Sequence, residues 1–160
     1  MRIRPATAAD AAALTALWTE AYSGRALGEG RIEPYEEHEF TAALAAGELS
    51  VAELDGAAVG AVLMRPPGAP ERAVAEGAEA ELGRLAVTAA ARGRGIGRAL
   101  ALRCGEGARQ AGADGIALWS RPYQVQAHRL YESLGYERVP GRDSDGPDGR
   151  RLVFRLDLAR

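Results

Sequence analysis

The sequence predicts an α/β fold, a central mixed sheet with helices on both faces. Three observations predict it. Short apolar runs of strand length recur at 49–54, 57–64, 82–87 and 116–119, separated by stretches with helical spacing. Asp55-Gly56 joins the first two runs as a two-residue hairpin, which makes them antiparallel. The run ending at Val87 leads through a glycine-rich loop into a helical stretch and then another apolar run, the signature of a crossover between parallel strands. Meander strands followed by crossovers give a mixed sheet.

The elements follow in order. Arg2-Ile3-Arg4 alternates and stops at Pro5, as a short first strand would. Thr7 is placed to cap a helix, with Asp10 three residues on. Leu14, Leu17, Trp18 and Ala21 share one helical face, so Trp18 is expected in the core. Residues 23–30 form a glycine-containing break. Pro34 opens a second helix carrying Phe40 and Leu44 and closing near Gly47. After the hairpin, residues 66–78 are rich in Pro, Gly, Ala and Glu without periodicity, and are expected to be a mobile surface loop. The strand at 82–87 and a long helix come next. A strand at 116–119 is followed by a helix entered at Arg121-Pro122, with Ala127, Leu130, Tyr131 and Leu134 on one face and Gly135 at its C-terminal end. Residues 136–139 read as a strand, 140–150 as an exposed loop and 152–158 as a final strand.

Size and composition set bounds. A chain of 160 residues forms one domain, 1–160, with a single sizeable core. Its net charge of −2 and scattered basic residues point away from nucleic acid. Every basic residue other than histidine is arginine, and asparagine is absent, a bias that makes arginine near a motif less informative. The lone cysteine, Cys104, excludes an internal disulfide and falls on the apolar face of the long helix, as an inert core thiol would. The N-terminus lacks the apolar core of a signal peptide, and no window reaches the length of a membrane span. A cytoplasmic protein, monomer or homodimer, without membrane or nucleic-acid partner is expected. His38 and His128 lack the spacing of a metal site, so no metal is expected.

The most informative stretch is E-L-G-R-L-A-V-T-A-A-A-R-G-R-G-I-G-R-A-L, residues 81–100. Three glycines in five residues expose main-chain N–H groups to close approach. The helix that follows presents unpaired N–H groups and the positive end of its dipole to an anion. Arg92, Arg94 and Arg98 add charge. The physical reading is a phosphate or diphosphate cradle. A P-loop is excluded because the chain has no lysine, and the dinucleotide fingerprint fails because the third glycine comes one place early.

The spacing that fits is [QR]-x-x-G-x-[GA], met by Arg92, Gly95 and Gly97 after the strand pattern E-L-x-x-L-x-V. This resembles the acetyl-CoA site of the GNAT superfamily of N-acyltransferases. Ala127-x-x-Leu130-Tyr131-Glu132-x-x-Gly135-Tyr136 resembles the family's C-terminal motif, with Gln124 where the family often has asparagine. The element order also resembles the GNAT fold from end to end.

The resemblance implies transfer of an acetyl group from acetyl-CoA to an amine acceptor, a small molecule or a protein N-terminus, by direct attack in a ternary complex. It assigns the pantetheine arm to main-chain groups of Leu85, Ala86 and Val87. It assigns the diphosphate to the amides of Arg92, Gly93, Arg94, Gly95, Ile96, Gly97 and Arg98. Tyr131 then donates a hydrogen bond or proton to the departing thiolate. Ordinary values of ~8.5 for a thiol and ~10 for a phenol make complete early transfer uphill by ~2 kcal/mol, so a strengthening hydrogen bond fits better. Glu81 matches a carboxylate that serves as base in some members, acting through water as the amine attacks; a strand carboxylate paired with Arg84 is the other reading, and Glu79 or a water alone competes for the role. The run Glu33, Glu36, Glu37 and Glu39 is either a solvated helix face or an attraction for a cationic amine. Two other functions stay open at this point: a non-catalytic acyl-CoA sensor on the same fold, and a nucleotide-binding domain using the glycine loop.

Overall fold

Local pattern becomes structure in the order β1 (Arg2–Pro5), α1 (Ala11–Ala21), α2 (Glu37–Ala46), β2 (Glu48–Leu54), β3 (Ala57–Arg65), β4 (Glu79–Val87), α3 (Ile96–Gln110), β5 (Gly115–Ser120), α4 (Val125–Ser133), β6 (Glu137–Arg138), β7 (Ser144–Gly146) and β8 (Gly149–Asp157). The computed structural model describes residues 1–22, 34–146 and 149–158. The expected break at 23–30 and the carboxylate of Glu33 lie outside the described residues. The chain divides into two units, Met1–Leu63 with Arg84–Cys104, and Met64–Gly83 with Gly105–Arg160.

The first unit orders its strands β1-β2-β3-β4. β1 lies antiparallel to β2, Ile3 opposite Ala52. Arg4 holds the buried Asp10 through two hydrogen bonds of 2.7 and 2.8 Å, and Asp10 in turn accepts the Thr7 N–H, which fixes the entry to α1. Asp55 and Gly56 both adopt positive φ, +51° and +80°, as a primed hairpin turn requires. Leu14, Leu17 and Trp18 of α1 and Phe40 and Ala43 of α2 pack on Leu49, Val51, Ala61, Leu63 and Ala86. Alternation sends Gly60 of β3 to the opposite face. There the space a Cβ would need is taken by Leu100 Cδ1 at 3.0 Å, the Ala86 carbonyl oxygen at 3.1 Å and Ile96 Cγ2 at 3.3 Å. Helices therefore cover both faces of this part of the sheet, and glycine is what lets α3 sit down. Gly60→Val should cost ~1–3 kcal/mol by overpacking. The check is a lower urea midpoint at unchanged m-value.

The second unit orders its strands β4-β5-β8-β6, with β7 on β8. β4 and β5 are parallel and β5 and β8 antiparallel, so the sheet is mixed as expected. Ile116 and Leu118 lie opposite Leu156 and Phe154, on the face where α4 brings Tyr131 within 6.1 Å of the Phe154 ring. Gly135, at φ +95°, ends α4, and the Tyr136 N–H returns to the Tyr131 carbonyl at 3.0 Å.

Four sequence expectations need correction. Residues 66–78 are pinned, not loose: Glu81 accepts the N–H groups of Ala73, Val74 and Ala75, Glu79 accepts that of Glu76, and Arg72 bonds the carbonyls of Ala69, Gly77 and Glu79. α4 begins at Val125 because the Gln124 carboxamide oxygen takes the Arg121 N–H at 2.7 Å, closing a turn before the helix. β6 is only two residues long, since Tyr136 is committed to the end of α4 and Pro140 starts a single 3-10 turn. The expected loop at 140–150 instead contains β7 paired with β8, Ser144 opposite Arg151.

Candidate active site

The glycine loop belongs to the first unit. The Thr88 N–H closes on the Val59 carbonyl at 2.8 Å, and the Ala89 N–H on Glu20 at 2.8 Å. A single 3-10 turn, Ala89–Ala91, then delivers the chain to Arg92. Gly93 and Gly95 have φ of +78° and +77°. Buried Ile96 anchors the first turn of α3, while Arg92 to Gly95 stay exposed. Among the described residues, none of the amides from Gly93 to Gly97 donates a backbone hydrogen bond, while that of Ala99 reaches the Gly95 carbonyl at 3.0 Å. Consecutive free N–H groups at a helix start are the physical requirement for an anion cradle. The structure thus gathers Arg92 to Arg98 into one loop and helix turn.

The neighbouring backbone of β4 is irregular. Arg84 has φ +53° in the middle of the strand, a conformation that a non-glycine residue rarely adopts. The Leu85 carbonyl accepts the Tyr22 hydroxyl at 2.7 Å, and the Val87 carbonyl accepts Arg92 Nε at 3.2 Å. Two of the three carbonyls assigned to a pantetheine arm therefore already have one protein donor, leaving a lone pair on each. Sequence reasoning missed this kink. The available signal was Gly83, since an interior strand glycine marks a bulge; the positive φ falls on the next residue.

Glu81, Glu79 and Tyr131 belong to the second unit. The Glu81 side chain is buried, 2 % exposed. Its Oε2 accepts the N–H groups of Val74 and Ala75 at 2.8 and 2.9 Å, while Oε1 accepts only that of Ala73, at 3.0 Å. Glu81 is not paired with Arg84, whose guanidinium lies over the Tyr35 and Trp18 rings instead. β4 pairs with β5 through Glu79, Ala80 and Glu81 only, ending at Ala117, although β5 continues to Ser120. Glu81 shares a sheet face with Ala117, and Phe154 shares the other with Leu118. Tyr131, packed on Phe154 and on Tyr136 at 5.6 Å, therefore stands on the face away from Glu81.

Glu79 is committed elsewhere. Its carboxylate receives Arg142 at 2.8 and 3.1 Å, Arg155 Nε, and the Glu76 N–H at 2.9 Å. Burial pushes its pKa up, but the hydrogen bonds from Arg142, Glu76 and Arg155 outweigh it and hold the group at about 2. A carboxylate so acidic is a poor proton acceptor. At the start of α4, His128 Nε2 lies 2.9 Å from the Arg121 carbonyl and 3.2 Å from Ser120 Oγ. A carbonyl only accepts, so Nε2 carries the proton. Ser120 donates onward to Gln124 at 3.0 Å, so Gln124 caps this turn with its oxygen. His38 is exposed beside Glu36 at 3.3 Å. Among the described residues no group of histidine, cysteine and carboxylates is arranged to hold a metal ion. Burial pushes the Cys104 thiol up to about 12, which suits an inert core residue.

The fold and the glycine loop define a class, an α/β domain with a glycine-rich loop at the start of a helix, an arrangement suited to an anion. A family model described as the Acetyltransferase (GNAT) family matches residues 11–136. The chain belongs to that family. Among solved structures, a ribosomal-protein-alanine N-acetyltransferase from Brucella melitensis is 25 % identical, with TM-score 0.76, covering 99 % of this chain and 100 % of that one. A PaiA N-acetyltransferase from Thermoplasma acidophilum, in complex with coenzyme A, shares the fold at TM-score 0.76 and 16 % identity over 98 % of both chains. The N-acetylaspartate synthetase of Rattus norvegicus is 38 % identical over 93 residues, 58 % of this chain but 29 % of that protein. The chain thus spans under a third of the length of that curated relative. No helix among the described residues is long and apolar enough to cross a membrane.

Proposed function

We propose that residues 1–160 act as a single N-acetyltransferase domain, transferring an acetyl group from acetyl-CoA to a primary amine by direct attack in a ternary complex. One observation carries the reading: the run of amides from Gly93 to Gly97 without backbone acceptors, in a chain of the GNAT family. In this reading the amides from Gly93 to Gly97 and the side chains of Arg92, Arg94 and Arg98 hold the diphosphate, while the Arg92 N–H, assigned to it by the sequence, is committed to the Ala89 carbonyl at 3.3 Å. Leu85, Ala86 and Val87 hold the pantetheine arm through the main chain, in the manner of an added strand. The amine nitrogen bonds to the thioester carbonyl carbon as the carbon–sulfur bond breaks. Tyr131 supplies a hydrogen bond, then a proton, to the departing sulfur. Glu81 takes the amine proton through water at Oε1, which accepts one amide where Oε2 accepts two. Similar proteins fit a small-molecule or a protein acceptor: one is an N-acetylaspartate synthetase, the other a ribosomal-protein-alanine N-acetyltransferase. We place the enzyme in the cytoplasm, as a monomer or homodimer, acting without metal, membrane or nucleic acid.

A thiol-release assay with acetyl-CoA and an amine panel tests the reading. Release that depends on the amine supports it; coenzyme A binding without release makes the chain an acyl-CoA sensor instead. A titration with ATP and NAD covers the nucleotide-binding alternative. Glu81→Gln should lower kcat ~10-fold and leave KM for acetyl-CoA unchanged. A lower melting temperature with an unchanged kcat assigns Glu81 to holding residues 73–75 alone.

A further inference from the structure

The kink of β4 carries a cation that no carboxylate among the described residues pairs with. The Arg84 guanidinium carbon stands 4.5 Å from the centre of the Tyr35 ring and 5.3 Å from that of Trp18. Its Nη1 is buried and makes no hydrogen bond, and among the described residues no carboxylate pairs with it. The indole beneath is fully buried, and its Nε1 is also without an acceptor. One locality of the first unit therefore holds two unsatisfied buried donors on stacked side chains, beside a residue forced to φ +53°. Native structures rarely tolerate either feature without a reason, and both concentrate where a ligand completes the arrangement.

The chemistry narrows what that ligand is. Aromatic faces hold a guanidinium by its flat surface and do not satisfy its in-plane N–H donors. Those donors form a planar fork bearing positive charge, whose matching partner is a carboxylate accepting two parallel hydrogen bonds. A neutral carbonyl would satisfy one donor and leave the charge uncompensated. Arg84 immediately precedes Leu85, the first residue assigned above to the donor's pantetheine arm. A group held at Arg84 thus belongs to the acceptor.

We infer that Arg84 is a specificity residue that takes a carboxylate of the acceptor, so that the preferred substrates are amines bearing a carboxylate, free amino acids above all. The inference rests on the acetyltransferase reading and selects among its acceptors. Tyr35 and Trp18 are positioning residues in this scheme, since they act by holding the guanidinium.

The test compares acceptors that differ only in the charged group. Each amino acid of a panel is assayed for thiol release beside its carboxamide and its decarboxylated amine, at saturating acetyl-CoA. The expected result is kcat/KM at least 100-fold higher for the best free acid than for its carboxamide. Arg84→Gln should raise KM for that acid and bring the acid-to-carboxamide ratio close to one. Arg84→Lys, which keeps the charge over the rings but loses the fork, should fall between. Equal turnover of acid and carboxamide by the wild-type enzyme overturns the inference, as does an Arg84→Gln variant that loses both in proportion. Release confined to amines without a carboxylate overturns the inference and leaves the acetyltransferase reading intact. No release with any amine, while coenzyme A still binds, removes that reading and the inference with it.

Discussion

Tyr131→Phe lowers kcat for acetyl transfer by ~100-fold, about 3 kcal/mol of transition-state stabilisation, and leaves KM for acetyl-CoA within about twofold. The expectation follows from what the substitution removes. The Tyr131 ring packs against Tyr136 and Phe154 at 5.6 and 6.1 Å and is 6 % exposed. Phenylalanine keeps that packing and takes away only the hydroxyl. The loss therefore falls on the step in which the sulfur departs, where negative charge first needs a donor. Thiol release at saturating acetyl-CoA, alongside the melting temperature of the variant, is the measurement. A kcat within threefold of wild type removes Tyr131 from the mechanism and leaves it a core aromatic.

Glu79→Ala destabilises the protein by ~3 kcal/mol, because it strips two partly buried guanidinium groups of their counter-ion. Arg142 and Arg155 both converge on this side chain, which is 6 % exposed. The same group makes wild-type stability depend on pH. Its pKa in the folded protein is about 2, below the ordinary 4.5. Its contribution is therefore present above pH ~4.5 and is lost progressively as pH falls toward 2, at most ~3 kcal/mol in all. Asp143, held down by Arg138, and Asp10, held down by Arg4, shift in the same direction and add to the acid lability. Urea midpoints between pH 7 and pH 2.5 check this. Wild type should lose stability steeply over that interval, and Glu79→Gln should start lower and slope less. A variant with the wild-type slope would remove Glu79 as the source.

What the sequence revealed was what depends on neighbours in the chain. The Asp55-Gly56 turn, the glycine stop at Gly135, the burial of Trp18 and the loop from Arg92 to Gly97 each follow from a few adjacent residues, and each stands where expected. What escaped depends on distant partners or on bare backbone. Arg142 and Arg155 meet Glu79 across 63 and 76 residues, and nothing in their local pattern points there. The donors that pin Glu81 are main-chain N–H groups of Ala73, Val74 and Ala75, to which side-chain identity contributes nothing. Residues 66–78 therefore read as unstructured from composition, although carboxylates and Arg72 tie them to β4. The kink at Arg84 was hidden for a third reason. Its cause is a torsion, and arginine, unlike glycine, asparagine or aspartate, gives no hint of a left-handed one.

A Cβ built on Gly93 or on Gly95 would meet no atom within 4 Å. The demand at these two sites is thus one of handedness and not of size. An L-alanine there is small enough and still wrong, because its Cβ disfavours the positive φ that the loop requires.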